Sequence, residues 1–233
     1  KYSEARYARQ IADEQLNLLP YRIAAWEAVD WLIPGDSYTV SGQTPIEVIA
    51  DLAKAAGAFV ESHPYEAQLF VRPVWRQVAW AKPTPALTIP ANLILSVSGQ
   101  RRISERCNAV RLTPAAEQIG GAKAKGGLVY REGTDQQPEA STLTHAAYTD
   151  TDVMRAAGIH ALSETGTHKI ETVTLPWAEK YQLPLASLGA VWAFAEQGQT
   201  WQGVIKGVSV AVELDNGAPV VTQTVTIDRY LGD

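Results

Sequence analysis

"EQGQTWQGVIKGVSVAVELDNGAPVVTQTVTID", residues 196–228, places Gly198, Gly203 and Gly207 around Trp201 and then alternates apolar and polar residues. Such a glycine-rich start either cradles a ligand or bends a chain that is about to become sheet. The stretch has too few features of a phosphate cradle, and the period-two alternation that follows is that of a strand. As sheet, each residue has a role. Gly198 turns the chain into the strand, and Gly203 and Gly207 allow a bulge or a close backbone approach. Val204, Val208, Val210 and Val212 supply a barrel face, and Asp215-Asn216-Gly217 signals a turn into the last strand.

Outward from this hairpin, the second half of the chain follows the same pattern. "RISERCNAVRLT", "GGLVYREG", "HKIETVTLP", "GAVWAFAE" and "APVVTQTVTIDRY" are short and alternating, punctuated by Gly, Pro or Asn. One helix interrupts them, "DTDVMRAAGIHALSETG", capped by Asp150 or Thr151 and stopped at Gly166. Residues 91–233 are therefore expected to form a mainly antiparallel, β-barrel-like domain with one helix, near 151–165, across it.

The first half reads differently. In "SGQTPIEVIADLAKAAGAF", Thr44 caps a helix, Pro45 occupies its first position and Glu47 completes a capping box. Ile49, Leu52, Ala53 and Ala56 share a face, and Gly57 sits where a left-handed cap is wanted. "AFVESHPYEAQLFVRPVW" then reads as a hairpin. "RQIADEQL" matches "EVIADLAK" at an offset of 38 residues, Ile11-Ala12-Asp13 falling on Ile49-Ala50-Asp51. Both precede two apolar segments, which predicts two helix–strand–strand units; an old duplication and a chance match both stay open. Pro73, Pro83, Pro85 and Pro90 mark an extended connector, since prolines so spaced cannot pair as a central strand. The expected class is α+β, with a small α+β domain over 1–90 joined to the barrel-like domain over 91–233.

Composition bounds the function. The chain has 233 residues, enough to bury a sizeable core, and a net charge of -5, which argues against a protein built mainly to grip nucleic acid. A single cysteine, Cys107, rules out an internal disulfide framework and a cysteine metal cluster. No apolar run has the length of a membrane span, and the start lacks the regions of a signal peptide. The chain begins at Lys1 and its only methionine is Met154, so a processed or truncated piece is expected.

Candidate chemistry is sparse. "GGAKAKGG" (120–127) lacks the Lys-Ser/Thr pair and the following helix of a phosphate loop, and suits a hairpin tip. His63, His145, His160 and His168 show no metal-ligand spacing and are expected in surface or cap roles. Asp13 with Glu14 and Asp150 with Asp152 are the closest carboxylate groups, and both look helix-associated. "TVSGQ" (39–43) and "SVSGQ" (96–100) each suit a segment before a helix or turn. Seven tryptophans, Trp26, Trp31, Trp75, Trp80, Trp177, Trp192 and Trp201, are core or interface anchors or platforms for sugars. The proline-rich setting of Trp75 and Trp80 points to an interface.

The order of segments in the second half resembles the C-terminal portion of phage tail baseplate hub proteins. That superfamily includes late control proteins and the hub part of type VI secretion spikes. The matching positions are a helix before a strand ending in Leu175-Pro176, then Gly189, Trp201-x-Gly203, and a closing strand from Gln223 to Arg229. "ERCNAVRLTP", with Asn108 and Val110, resembles the strand that re-enters the hub barrel after its inserted domain. "SYTVSGQTPIEVIADLAKAAGAFVESHPYEAQLFVRP" resembles the inserted α+β domain of tail proteins in long-tailed and Mu-like phages. The likeness runs from residue 36 to the end. One departure is that such hubs begin with a first β-barrel, for which this chain has no room.

The resemblance implies a structural role in the virion tail, after assembly in the bacterial host cytoplasm. Hubs of this kind are similar to trimers that adapt the sixfold tail tube to a threefold spike or fibre at the tip. It implies a homotrimer with tail tube or distal tail proteins, spike or fibre proteins and the tape measure protein as partners. It implies no membrane span, no sequence-specific nucleic acid, and no catalytic, cofactor-binding or metal-binding residues. The alternative is a tail-associated glycan hydrolase, which needs two carboxylates converging in a cleft, or a glycan-binding module on tryptophan platforms.

Overall fold

A computed structural model describes residues 2–196 and 198–232; Lys1, Gln197 and Asp233 lie outside the described residues. Along the first half, β1 (Arg6–Tyr7) leads into α1 (Ala8–Gln15), β2 (Arg22–Trp26) and β3 (Leu32–Ile33). These are followed by α2 (Pro45–Ala55), β4 (Ala58–Ser62) and β5 (Gln68–Pro73). The capping prediction holds in detail. The Thr44 N–H donates to the Glu47 carboxylate at 2.7 Å, Pro45 opens α2, and Gly57 closes it at φ 63°. Val48, Ile49, Leu52 and Ala53 are buried, as their spacing requires.

β4 and β5 form the expected antiparallel hairpin. The preceding unit departs from it. β2 pairs in parallel with β5, whereas β3 pairs with β1, so the two strands of that unit enter different sheets.

The middle of the chain contributes β6 (Leu87–Ile89), β7 (Ser96–Ile103) and β8 (Ala109–Pro114). The short β9 (Gln118–Ile119) and β10 (Ala122–Lys123) make a hairpin whose tip is Gly120 and Gly121, both at positive φ. β11 (Gly127–Tyr130), β12 (Glu139–His145) and α3 (Thr151–Ser163) follow. The Asp150 carboxylate caps α3 by accepting from the Asp152 N–H at 2.7 Å. The last quarter is β13 (Thr167–Pro176), β14 (Val191–Glu196), β15 (Gln199–Asp215) and β16 (Ala218–Gly232).

The class is α+β, as expected, but the tertiary grouping is interleaved. One compact unit holds the residues up to Trp75 together with Cys107–Glu164; the other holds Arg76–Arg106 together with the residues from Thr165 on. The sequence reading divided the chain once, at residue 90. The first unit carries the sheets β2-β5-β4 and β11-β8-β12, with α3 against β8 and β11 and also touching α2. α3 therefore belongs to the first unit and not to the unit of the large sheet. Gly158 is what lets α3 pack: a Cβ there would stand 2.5 Å from Val129 Cβ on β11. "ERCNAVRLTP" likewise supplies β8, the centre of a three-stranded sheet in the first unit.

The second unit is a six-stranded sheet in the order β6-β14-β15-β16-β13-β7. β6 and β7 are its two edges and do not pair with each other, so no barrel closes among the described residues. Its core gathers Ile89, Val173, Leu175, Trp192, Phe194, Trp201, Ile205, Val225 and Ile227. β6, within the proline-rich connector, pairs only as an edge strand, where a missing ladder N–H is tolerated. "SVSGQ" lies inside β7 rather than before a turn, with Gly99 against Glu171.

Candidate functional site

The carboxylates singled out in the sequence stay in local roles. Asp13 pairs with Arg9 at 3.6 Å and Glu14 with Arg6 at 3.3 Å, both on or beside α1. Asp150 and Asp152 stand at the start of α3. Among the described residues no group of three or more His, Cys, Asp or Glu side chains could hold a metal ion. Among the described residues no helix is long and apolar enough to cross a membrane.

Two histidines form buried or half-buried pairs with aspartate that their spacing in sequence did not signal. His145, at the end of β12, places Nε2 3.1 Å from Asp51 on α2, while its Nδ1 accepts the Ala147 N–H at 3.0 Å. The backbone donor fixes the proton on Nε2, and the Asp51 carboxylate receives it. Tyr38 donates its hydroxyl to the other Asp51 oxygen at 2.6 Å. The His145 hydrogen bond, with help from Tyr38, holds the Asp51 carboxyl below the usual carboxylate range against the opposing effect of burial. Burial pushes the Tyr38 phenol strongly upward, and that of Tyr148, whose ring meets that of His145 at 5.4 Å and a tilt of 47°, up to about 12. With both ring nitrogens committed, this His–Asp pair ties α2 to the end of β12 and leaves no nitrogen free to act as a base.

The second pair is His168 with Asp228, Nδ1 to Oδ1 at 2.6 Å, on β13 and β16 and closed off from solvent. The other His168 nitrogen faces the Thr165 carbonyl at 3.4 Å, and Tyr230 meets the ring edge-on. This corrects the expected surface role: His168 is fully buried. His63 does match a turn role, its Nδ1 accepting from the Glu66 N–H at 3.0 Å.

The tryptophans are anchors within each unit. Trp31 donates to the Ala147 carbonyl at 2.9 Å, and Trp75 to the Glu164 carboxylate at 2.6 Å. Trp75 is buried, so the interface role expected for it gives way to the core. Phe194 stacks on Trp201 at 4.6 Å, and the Arg229 guanidinium lies over the Trp201 ring at 5.4 Å. None of the seven tryptophans is exposed. A flat sugar platform of the kind considered above would need an open indole face.

What the structure does expose is strand surface. β15 and β16 form a long hairpin with a tight Asn216-Gly217 turn, both residues at positive φ. β14 accompanies β15 only as far as Val204, and β13 reaches β16 only from Thr222. The distal part of the hairpin therefore stands beyond the sheet as a two-stranded arm. On one face, Val210, Val212 and Leu214 oppose Gln223, Val221 and Pro219, continuing the core pair Val208–Val225 outward. On the other, Ser209, Ala211 and Glu213 oppose Thr224, Thr222 and Val220. Val212 is 64% exposed and Leu214 77%. Of the valines expected to share one face, Val208 lies on the core side with Val210 and Val212, whereas the bulge between Ile205 and Gly207 turns buried Val204 to the opposite side; Val210 and Val212 are exposed.

No protein-family profile and no curated protein matches the sequence. Solved structures do match. Over 98% of its length the chain resembles the tail protein from Neisseria meningitidis MC58, with a TM-score of 0.59 at 12% identity, covering 68% of that chain. It likewise resembles the 43 kDa tail protein of prophage MuSo2 from Shewanella oneidensis over 98% of its length, covering 67% of that chain, with a TM-score of 0.56 at 15% identity. A chain of the native gene transfer agent virion matches over 96% of this chain and 48% of its own length, with a TM-score of 0.57 at 16% identity. At such identities the likeness is one of fold.

Proposed function

We propose, from the fold this chain shares with phage tail proteins, that it is a structural part of a phage or phage-like tail. Within the tail we place it at the tip or baseplate hub, joining the tail tube to a spike or fibres. The observation that carries this reading is the likeness itself, which spans nearly the whole chain and is found in several tail proteins. The surface fits the role. It offers strand edges and an apolar arm, the features with which proteins assemble, and both His–Asp pairs are tied up inside the fold.

In this reading the partners are further copies of the chain as a homotrimer, the tube or distal tail proteins, the spike or fibre proteins and the tape measure protein. The chain works by contact and not by catalysis, in the virion, after assembly in the host cytoplasm. The test is an epitope-tagged copy expressed in the strain that carries the gene, followed by immunogold electron microscopy of the particles. Gold at the distal end of the tail is expected. Gold along the tube, or particles without label, would overturn the placement. Turnover of peptidoglycan that disappears in a Glu→Gln or Asp→Asn variant would replace the structural role by a hydrolytic one.

A further inference from the structure

Besides the short outer strand β6, the large sheet leaves two long strand edges open among the described residues. The first is β7, eight residues long and the outer strand on one side, exposed along most of its length. The second is the outer side of β15 from Gly207 to Leu214, where β16 is its only strand neighbour among the described residues. The two are equal in length, roughly 27 Å at about 3.4 Å per residue. Open edges of that length template pairing with another chain unless they are blunted by proline, a short run, a cover, a bulge or charges. Here the β15 edge bulges only at its start, between Ile205 and Gly207, and the charges, Arg101 and Arg102 on β7 and Glu213 on that part of β15, are of opposite sign. Neither edge contains a proline.

The two edges are also complementary. The arm from Ser209 to Val220 contains Glu213 and no cation, whereas β7 contains Arg101 and Arg102 and no acid. Their faces correspond. The core side of the sheet bears Val97, Arg101 and Ile103 on β7 and Val210, Val212 and Leu214 on the arm. The opposite side bears Ser98, Gln100 and Arg102 on β7 and Ser209, Ala211 and Glu213 on the arm. Ile103 is 76% exposed, so apolar surface waits at both edges.

We infer that the arm of one copy docks along β7 of a second copy, extending the six-stranded sheet across the contact. Leu214 then covers Ile103, and Glu213 lies beside Arg102, whose guanidinium also stands 3.8 Å from Asp228 within its own copy. The contact is head-to-tail, so each copy keeps one arm and one β7 to offer, and repetition continues the sheet from copy to copy. The inference deepens the assembly role proposed above, and the two fail separately: tail labelling reads the location, and the experiment below reads the contact.

The experiment uses two exposed-surface variants of the full chain, checked by circular dichroism and sized by sedimentation velocity. Val212→Asp/Leu214→Asp disables the arm, and Arg101→Glu/Ile103→Asp disables β7. The wild-type chain is expected to assemble, and each variant alone to sediment as a monomer. An equal mixture is expected to give a one-to-one dimer and nothing larger, because only one arm and one β7 remain between them. A monomeric wild type, a variant that assembles like the wild type, or a mixture that stays monomeric would each overturn the inference. Should the charged changes disturb folding, Leu214→Ser and Ile103→Ser, which leave the exposed strands polar and neutral, repeat the same comparison.

Discussion

Gly203 shows how one residue carries the large sheet. A Cβ at this position would stand 2.5 Å from Ile227 Cγ2 and 2.7 Å from the Asp228 carbonyl oxygen. One of those contacts is backbone and cannot swing aside. Gly203→Val is expected to destabilise the fold by about 3 kcal/mol, at the upper end of the cost of overpacking, read as a shift in the urea midpoint. A midpoint equal to that of the wild type would count against the close approach. Gln223, fully buried on β16, is the second such residue. Its Oε1 accepts the Ala186 N–H at 3.1 Å and its Nε2 donates to the Pro184 carbonyl at 3.0 Å. Gln223→Leu leaves both backbone groups without their partner, and calorimetry should register a loss of about 2 kcal/mol or more. Asp51 sets a pH dependence. Its folded value lies below the ordinary carboxylate range, chiefly through the His145 hydrogen bond. It therefore stabilises the fold above that range, and the contribution is lost as the pH falls through the depressed value. Asp51→Asn should flatten the acid limb of a stability–pH curve, and an unchanged limb would show that Asp51 contributes nothing there. At this scale the sequence was partly informative. The need for glycine at 203 could be read from its place between Trp201 and a valine-rich strand. Asp51 and His145 stand 94 positions apart, and no local pattern joins them.

At the scale of the element, the legible signals were those whose physics is local. Thr44, Pro45, Glu47 and Gly57 marked both ends of α2, because a helix leaves unpaired amides and carbonyls that nearby residues must satisfy. Asn216-Gly217 marked the tight turn, because both residues adopt positive φ. β12 was missed: "EASTLTH" alternates weakly and pairs in parallel with β8 across α-free loops, so neither a turn nor an apolar run announces it. The extents of β15 and β16 were legible to within two residues, but not that their distal part stands beyond the sheet, held by its own ladder and not by a core. α3 supplies the sharpest test. Gly158→Ala improves helix propensity by about 1 kcal/mol, yet its methyl would meet Val129 Cβ at 2.5 Å. The contact is expected to win, giving a net loss of about 1 kcal/mol in a denaturant titration. A gain in stability would mean that α3 is free to move off β11.

At the scale of the whole molecule, the α+β class and the sheet-rich second half followed from periodicity and punctuation alone. So did the reading of the glycine-rich stretch as sheet: Gln199–Asp215 and Ala218–Gly232 form a hairpin with a bulge between Ile205 and Gly207. The grouping of the chain did not follow. Residues 107–164 join the first unit, and 76–106 join the second, because β7 and β8 satisfy their backbone groups in different sheets. Nothing local distinguishes two alternating segments that face different partners. The same holds for the valines of β15: alternation states that one face is apolar, but only the ending of β14 and β13 leaves Val212 and Leu214 uncovered. Local conformational preference is written residue by residue, whereas burial depends on which distant strands stop short, and that is a property of the folded chain.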